Sequence, residues 1–488
     1  MRKFAIVLIF AIIAAGTDRV RAFDPEGIKY APSAPKFTDA ERHAELAARR
    51  AAVAARMADN SVMVMFSAEP RIYTNDVNYV LRQENNIYYL TALKQANLML
   101  VIRKSGGKVT EAVYLPKRNP QFETWNGKMY SNEDAVRLSG IRNIIDAKER
   151  PAFIQGLRDH SDKTITKVYL LLPEGENDRD GQREFRQEEA FSKTLTGYQV
   201  ENSQPIFADL RHIKSPYEIK LLQHAIDITT EAHMRSWATA GNLSMEYEVQ
   251  AEVEYTFRRR NADYWGYPSI VGCGPNATTL HYEESQGPVT KGALLLMDVG
   301  AEYDHYTADV TRTFPVNGKF TKEQAEIYQI VYNAQEAVAR ATKPGVTMGE
   351  LGDVADRVII DGLFDLGLIT DKNSPQYRMW YMHGLGHWLG MNVHDVGRYG
   401  VPLKAGMVFT NEPGIYIRED ALDYLPDTPA NKAFLAKVRP VFEKYKNIGV
   451  RIEDDMLVTP TGVEWMTKAL PRKISDIEAF MASKPPVR

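Results

Sequence analysis

Asp298 follows five apolar residues, Ala293 to Met297, and no other position constrains the fold so tightly. Such a run belongs in a strand buried on both faces, and a carboxylate there is costly unless paired, hydrogen-bonded or bound to a cation. The stretch "GALLLMDVGAEYDHYTADVTRTFPV" (292–316) reads as two strands around a turn near Asp304 and His305, with Asp298 inside the first and Asp309 inside the second. With the turn centred there, position 309 opposes 300, which shares a face with 298, so two carboxylates converge. An ordinary turn or pairing role for either aspartate alone stays open.

Further donors follow. Glu412 ends a short apolar strand in "GMVFTNEPGIYI" (406–417), and Glu453 sits in a strand beside Arg451 in "NIGVRIEDDMLVT" (447–459). In "MHGLGHWLGMNVHDVG" (382–397), His383, His387 and His394 sit among three glycines, which disfavours a long helix and lets the backbone approach something closely. Asp298, Asp309, Glu412, Glu453 and one histidine make four hard oxygen-bearing ligands and one imidazole. Four carboxylates raise one another's pKa steeply unless neutralised, and two divalent cations resolve this. The donor set suits Mn²⁺, Co²⁺ or Zn²⁺ better than a soft metal. Two such ions, about 3.5–4 Å apart, hold a bridging water, lower its pKa and clamp an acyl oxyanion. For any single histidine a satisfied place in the core is the alternative.

The rest of the chain supplies a scaffold. Residues 38–57 read as a helix with a capping box, Thr38 with Glu41. Short apolar runs at 61–66, 98–103, "EAVYLP" and "KVYLLLP" alternate with helical stretches, which predicts an α/β domain over residues 23–205. Within it the polar segment 75–93, "NDVNYVLRQENNIYYLTAL", reads most simply as a solvated loop, the alternative being a face toward a partner subunit or substrate. The charged stretch 174–189 reads as a surface insertion. A helix starts at Ser215 with Ile219, Leu222, Ala225 and Ile226 at helical spacing, and the second domain is placed at 210–488. Another helix runs from Thr321, capped with Gln324, to Pro344 and Gly345, and would cover the sheet.

Residues 1–22 combine Arg2 and Lys3, an apolar run from Phe4 to Gly16 and a small-residue end at Ala22, the pattern of a cleaved secretory signal; the run is too short to span a bilayer. An exported, periplasmic or secreted protein without a membrane anchor after cleavage is expected. The single cysteine, Cys273, excludes internal disulfides and thiolate metal clusters and reads as a buried small residue. A net charge of −3 argues against nucleic acid as a partner. "GLGHWLG" misses a dinucleotide fingerprint because no acidic residue follows a strand-to-helix turn at the required place.

These motifs, with "LHY" (280–282), "ADVTRTFPVNGKFT" and "VRIEDD", lie in the order and spacing of the pita-bread metallopeptidases, and the chain most closely resembles their aminopeptidase P (Xaa-Pro aminopeptidase) and prolidase branch. "RQENNIYYLTAL" and "FETWNGK" (122–128) look like the domain preceding the catalytic one. The resemblance implies an α+β fold: a smaller α/β N-terminal domain, then a pita-bread catalytic domain. It implies that Asp298 binds one metal, Asp309 and Glu453 bridge both, and His387 and Glu412 bind the other, with Glu412 the general base and manganese the expected ion. His281, His383 and His394 match histidines lining the substrate site, and Tyr416 and Arg451 match residues that orient the carboxylates. Asp76 and Trp125 match positions that reach a neighbour's site in tetrameric relatives, so a dimer or tetramer is expected. The implied activity is release of the first residue from peptides with proline second, through a hydroxide bridging two metals. Prolidase action on Xaa-Pro dipeptides and a non-catalytic binding module of the same fold are the alternatives.

Overall fold

The computed structural model describes residues 27–173 and 185–483. The signal reading of 1–22 and the first eleven residues of the charged 174–189 stretch lie outside the described residues.

The N-terminal half begins with the helix Asp39–Arg56, closed at its start by the expected box: Glu41 N–H donates to Thr38 Oγ1 at 3.2 Å, and Thr38 N–H to Glu41 Oε2 at 2.8 Å. The apolar runs form one six-stranded sheet in the order Ile144–Asp146, Lys108–Leu115, Met99–Ser105, Ser61–Phe66, Lys167–Leu170, Gln199–Asn202. Its three central strands, Lys108–Leu115, Met99–Ser105 and Ser61–Phe66, pair antiparallel, and the outer ones parallel. Alternation along each strand feeds two cores. Val62 and Val64 pack with Leu157 and Phe191 on one face. Met63 and Met65 pack on the other with Val53 and Leu90, in a cluster that runs on into Leu222, Ala225, Tyr306 and Met391 of the C-terminal half.

The polar segment 75–93 is only partly a solvated loop. Residues 71–80 form an exposed hairpin, but Asn85–Thr91 is a fully buried helix. Its polar groups are spent on distant partners: Asn85 Nδ2 donates to Asn392 Oδ1 at 2.8 Å, Arg82 Nε to Glu302 at 2.8 Å, and Arg211 Nη1 to Asn86 Oδ1 at 2.8 Å. A buried amide is tolerated when hydrogen-bonded, and here those bonds join the two halves.

The chain crosses through the helix Gln204–His212 into the long helix Pro216–Thr239, begun by the capping box of Ser215 and Glu218. Beyond it lie small antiparallel sheets: Ile270–Cys273, Leu294–Val299 and Val310–Pro315; Val408–Asn411, Asp454–Val458 and Val463–Trp465; and the pair Gly414–Ile417 with Ile448–Arg451. The helix Lys322–Ala341 covers them with Ile327, Val331, Ala334 and Val338 buried, and Gln335 Nε2 donates to Asn411 O, Ile452 O and Asp454 Oδ2 at 2.8–3.0 Å. The architecture is α+β.

Candidate metal centre

The hairpin has the register read from its turn. Tyr303 pairs with Tyr306, Glu302 with Thr307, Val299 with Val310 and Asp298 with Thr311, which sets position 309 opposite 300. Asp304 and His305 have φ of 51° and 68°, the left-handed geometry of a tight hairpin turn. Gly300 is needed here, because a β-carbon would overlap the Ala308 carbonyl. Asp309 is not inside the second strand but one residue before it, and its N–H leaves the ladder to donate to Asp455 Oδ2 at 3.2 Å. Glu453 likewise lies between the strands Ile448–Arg451 and Asp454–Val458, its N–H donating to Thr311 O at 3.1 Å.

Glu412 follows Val408–Asn411, and Thr410 Oγ1 donates to its Oε1 at 3.1 Å. The same hydroxyl accepts the His387 N–H at 3.0 Å. Gly386 makes that contact feasible, since a β-carbon would run into the Thr410 carbonyl. His387 Nε2 stands 3.2 Å from Asp309 Oδ2 and 3.4 Å from Glu412 Oε1. Ligand atoms of Asp309, His387 and Glu453 all lie within 4.8 Å of one another.

Several hydrogen bonds orient these groups. Arg451, 4% exposed, pairs with Asp298 Oδ2, donates from Nε to Thr311 Oγ1 at 3.0 Å and from Nη1 to the Tyr416 hydroxyl oxygen at 2.8 Å. Thr311 Oγ1 in turn donates to Glu453 Oε2 at 2.6 Å. His383 Nδ1 lies 2.8 Å from the Gly384 carbonyl, which only accepts, so Nδ1 carries the proton and Nε2 accepts from Tyr416 O–H at 2.8 Å. Both His383 nitrogens are therefore engaged within the chain. Sequence reasoning missed Tyr267, whose hydroxyl lies 2.6 Å from both Asp298 Oδ1 and Asp309 Oδ1. Its only sequence signal is proximity to Ile270–Cys273, where Ile270 pairs with Asp298.

The electrostatics are those of a cluster short of positive charge. Burial, then Asp309, Glu412 and Asp298 nearby, pushes Glu453 well above the carboxylate range, and burial with the same kind of neighbours raises Glu412 to about 7. Burial also raises Asp309, whereas Asp298, though buried, is held low by Arg451 and Tyr267. Burial opposes a charge on His387, yet Asp309 and Glu412 pull its imidazole up to about 9. Its Nδ1 lies 3.1 Å from the Trp388 carbonyl and must be the N–H, so a neutral ring turns its Nε2 lone pair onto two carboxylates. A cation between them removes that repulsion, and the donor set of one imidazole and hard oxygens fits a divalent metal.

These residues floor a cavity of about 470 Å³ walled by Tyr267, Leu280, His281, His383, His394 and Tyr399. His394 packs edge-on against His387, ring centres 4.2 Å apart. Burial drives His383 and His394 to about 4, so both are neutral at working pH. Asp76, in the exposed hairpin turn, and Trp125, 84% exposed on the helix Pro120–Asn126, do not line their own chain's cavity. Cys273 is buried, its thiol pushed up to about 11.

Comparison with known proteins agrees with this arrangement. The model of metallopeptidase family M24 matches residues 220–460, and that of the aminopeptidase P N-terminal domain residues 46–166. A Xaa-Pro aminopeptidase of Haemophilus influenzae is 37% identical over 447 residues, covering 90% of this chain and 97% of its own length. One from Escherichia coli is 32% identical over 462 residues, covering 90% and 98%. The structure of an Escherichia coli aminopeptidase P variant in complex with substrate superposes with a TM-score of 0.79 at 32% identity, covering 92% of this chain and 99% of that one. Aminopeptidase P from the same organism with the inhibitor Pro-Leu gives 0.78, again at 32% identity and with the same coverage. With both halves matched, and with relatives aligned over nine-tenths of its length, the chain belongs to the aminopeptidase P branch of metallopeptidase family M24.

Proposed function

We propose that the protein is a Xaa-Pro aminopeptidase that removes the first residue of peptides with proline in second position. The observation that carries this is the convergence of Asp298, Asp309, His387, Glu412 and Glu453 on the floor of one peptide-sized cavity whose walls hold His281, His383 and His394. In this reading Asp298, Asp309, His387, Glu412 and Glu453 would hold two divalent ions, Asp298 serving one, His387 and Glu412 the other, and Asp309 and Glu453 contributing to both. The ions, manganese for preference, supply a nucleophilic water at neutral pH and positive charge against the oxyanion.

The chain's residues do the rest. Glu412 takes the proton of the attacking water at Oε1, the oxygen that Thr410 holds in place. His281 and His394 meet the scissile carbonyl and the departing proline nitrogen from the cavity walls. His383 anchors the Tyr416–Arg451 chain that keeps Asp298 aimed. Proline's nitrogen is a tertiary amide without N–H, so a pocket shaped to its ring selects it where a backbone hydrogen bond has no donor.

Release of Arg from Arg-Pro-Pro, abolished by chelator and restored by Mn²⁺, is the expected result. Rapid cleavage of Gly-Pro with no attack on Arg-Pro-Pro indicates a prolidase instead, and activity indifferent to chelator rejects the metal reading. We also propose an exported protein acting as a dimer or tetramer, on the pattern of residues 1–22 and the outward placement of Asp76 and Trp125. N-terminal sequencing of the exported protein and sedimentation test the two claims.

A further inference from the structure

Tyr282, the third residue of the "LHY" motif, has no part in the chemistry above, yet it is tied through Asn276 to Glu246, a heavily hydrogen-bonded carboxylate outside the metal centre. Glu246 opens the helix Glu246–Arg259 and is completely buried. Its Oε1 accepts the Cys273 N–H at 2.6 Å and Asn276 Nδ2 at 3.0 Å; its Oε2 accepts the Gly287 N–H at 2.6 Å. Asn276 Nδ2 also lies 3.0 Å from the Tyr282 hydroxyl, which accepts the Gln286 N–H at 3.2 Å. The Glu246 N–H closes the set by donating to Gly287 O at 3.0 Å. Gly287 is required there, because a β-carbon would overlap Asn276 Nδ2 and the Glu246 carboxylate.

Cys273 and Gly287 are the two ends of one excursion. It leaves the strand Ile270–Cys273, passes through Leu280, His281 and Glu283 on the cavity wall, and returns beside the helix at Pro288. His281 itself is exposed, so packing does not fix it. What fixes it is its neighbour Tyr282 and the two stapled ends, all converging on one buried carboxylate. The two backbone N–H bonds to this carboxylate are short, 2.6 Å each, and tie together loop ends separated by thirteen intervening residues.

We propose that Glu246 is a positioning residue for the reaction: it sets where His281 stands at the cavity wall while touching neither metal ligands nor substrate. This rests on the reading of His281 as a substrate-side residue.

The test is a double-mutant cycle on kcat/KM with a Xaa-Pro tripeptide, using metal-loaded protein and variants Glu246→Gln, His281→Ala and the pair. Glu246→Gln keeps size and the helix start but turns one acceptor into a donor facing a backbone N–H. Displacement of a reacting group by about 1 Å costs up to a hundredfold, so a loss of about ten- to a hundredfold in kcat/KM is expected in the unmodified background, with metal content held and the fold retained as read by far-UV circular dichroism. In the His281→Ala background the same substitution should cost less than about twofold. Tyr282→Phe should reproduce part of the loss with the same coupling. Equal losses from Glu246→Gln in both backgrounds, or none in either, overturn the proposal. If His281→Ala alone leaves kcat/KM unchanged, the substrate-side reading of His281 fails and the proposal falls with it, while Glu246→Gln still reports whether the loop affects turnover by another route.

Discussion

Tyr267→Phe removes one oxygen from the centre of the site and leaves every ligand in place. The hydroxyl carries a single proton but lies 2.6 Å from two carboxylate oxygens, Asp298 Oδ1 and Asp309 Oδ1. Burial raises the Asp309 carboxyl, while Arg451 and Tyr267 hold Asp298 low. With cations bound both carboxylates are ionised, and the hydroxyl can serve only one at a time. The substitution therefore deletes one hydrogen bond to a charged group, worth about 1.5–3 kcal/mol. At 1.36 kcal/mol per tenfold, that is a loss of about ten- to a hundredfold in affinity for at least one ion, the range found for groups that orient metal ligands. The assay is metal retention on dialysis against graded buffered Mn²⁺, read by elemental analysis, with far-UV circular dichroism to establish the fold. Retention indistinguishable from the unmodified protein refutes the argument, whatever happens to turnover.

Asp309→Asn should fold normally and work below about a thousandth of the unmodified rate, because the ligand that in the proposed reading serves both ions loses its charge; near-normal turnover in a peptide assay rejects the bridging role. His394→Ala should lower kcat by about 10²–10⁴-fold, as removal of a proton-transfer group does, with metal content intact; a large loss of bound metal would instead make His394 a ligand. Far from the site, Glu188 is buried in the N-terminal half and its carboxyl is pushed up to about 8 by burial, with Glu84 and Glu69 adding to it. The folded state then holds a proton that the unfolded chain releases near 4.5, so stability is full below that pH and falls as pH rises toward 8, by up to about 1.4 kcal/mol per unit. Urea unfolding at pH 5 and pH 8 should show this slope, and Glu188→Gln should flatten it; equal slopes in both proteins count against it.

Local rules carried much of the structure. Helix starts at Thr38 and Thr321 were legible because a capping box satisfies its own neighbours, and the start at Ser215 because its apolar residues recur at helical spacing. The hairpin register was legible because the turn at Asp304 and His305 fixes every pair after it. The ligand-bearing ends were less so: Asp309 and Glu453 sit just off their strands because their N–H groups bond Asp455 and Thr311 from other elements. The buried helix Asn85–Thr91 was hidden for the same reason, since Asn392 and Arg211, which make its asparagines tolerable, lie far along the chain. Tyr267 belongs to no motif, and only the pairing of Ile270 with Asp298 brings it within reach.

Gly300 and Gly386 set peptide group against peptide group on either side of the ligands, with no side chain as spacer. Gly300 gauges the two arms of the carboxylate hairpin against each other, and Gly386 gauges the histidine loop against the strand that leads to Glu412, both by main-chain atoms whose dimensions no substitution can alter. Variation in the walls, at Leu280, Val393 or Tyr399, can reshape which peptide enters, while these two backbone spacings stay constant. In the proposed reading, selection for new peptides can act on those walls without moving the backbone beside Asp309, His387 and Glu412.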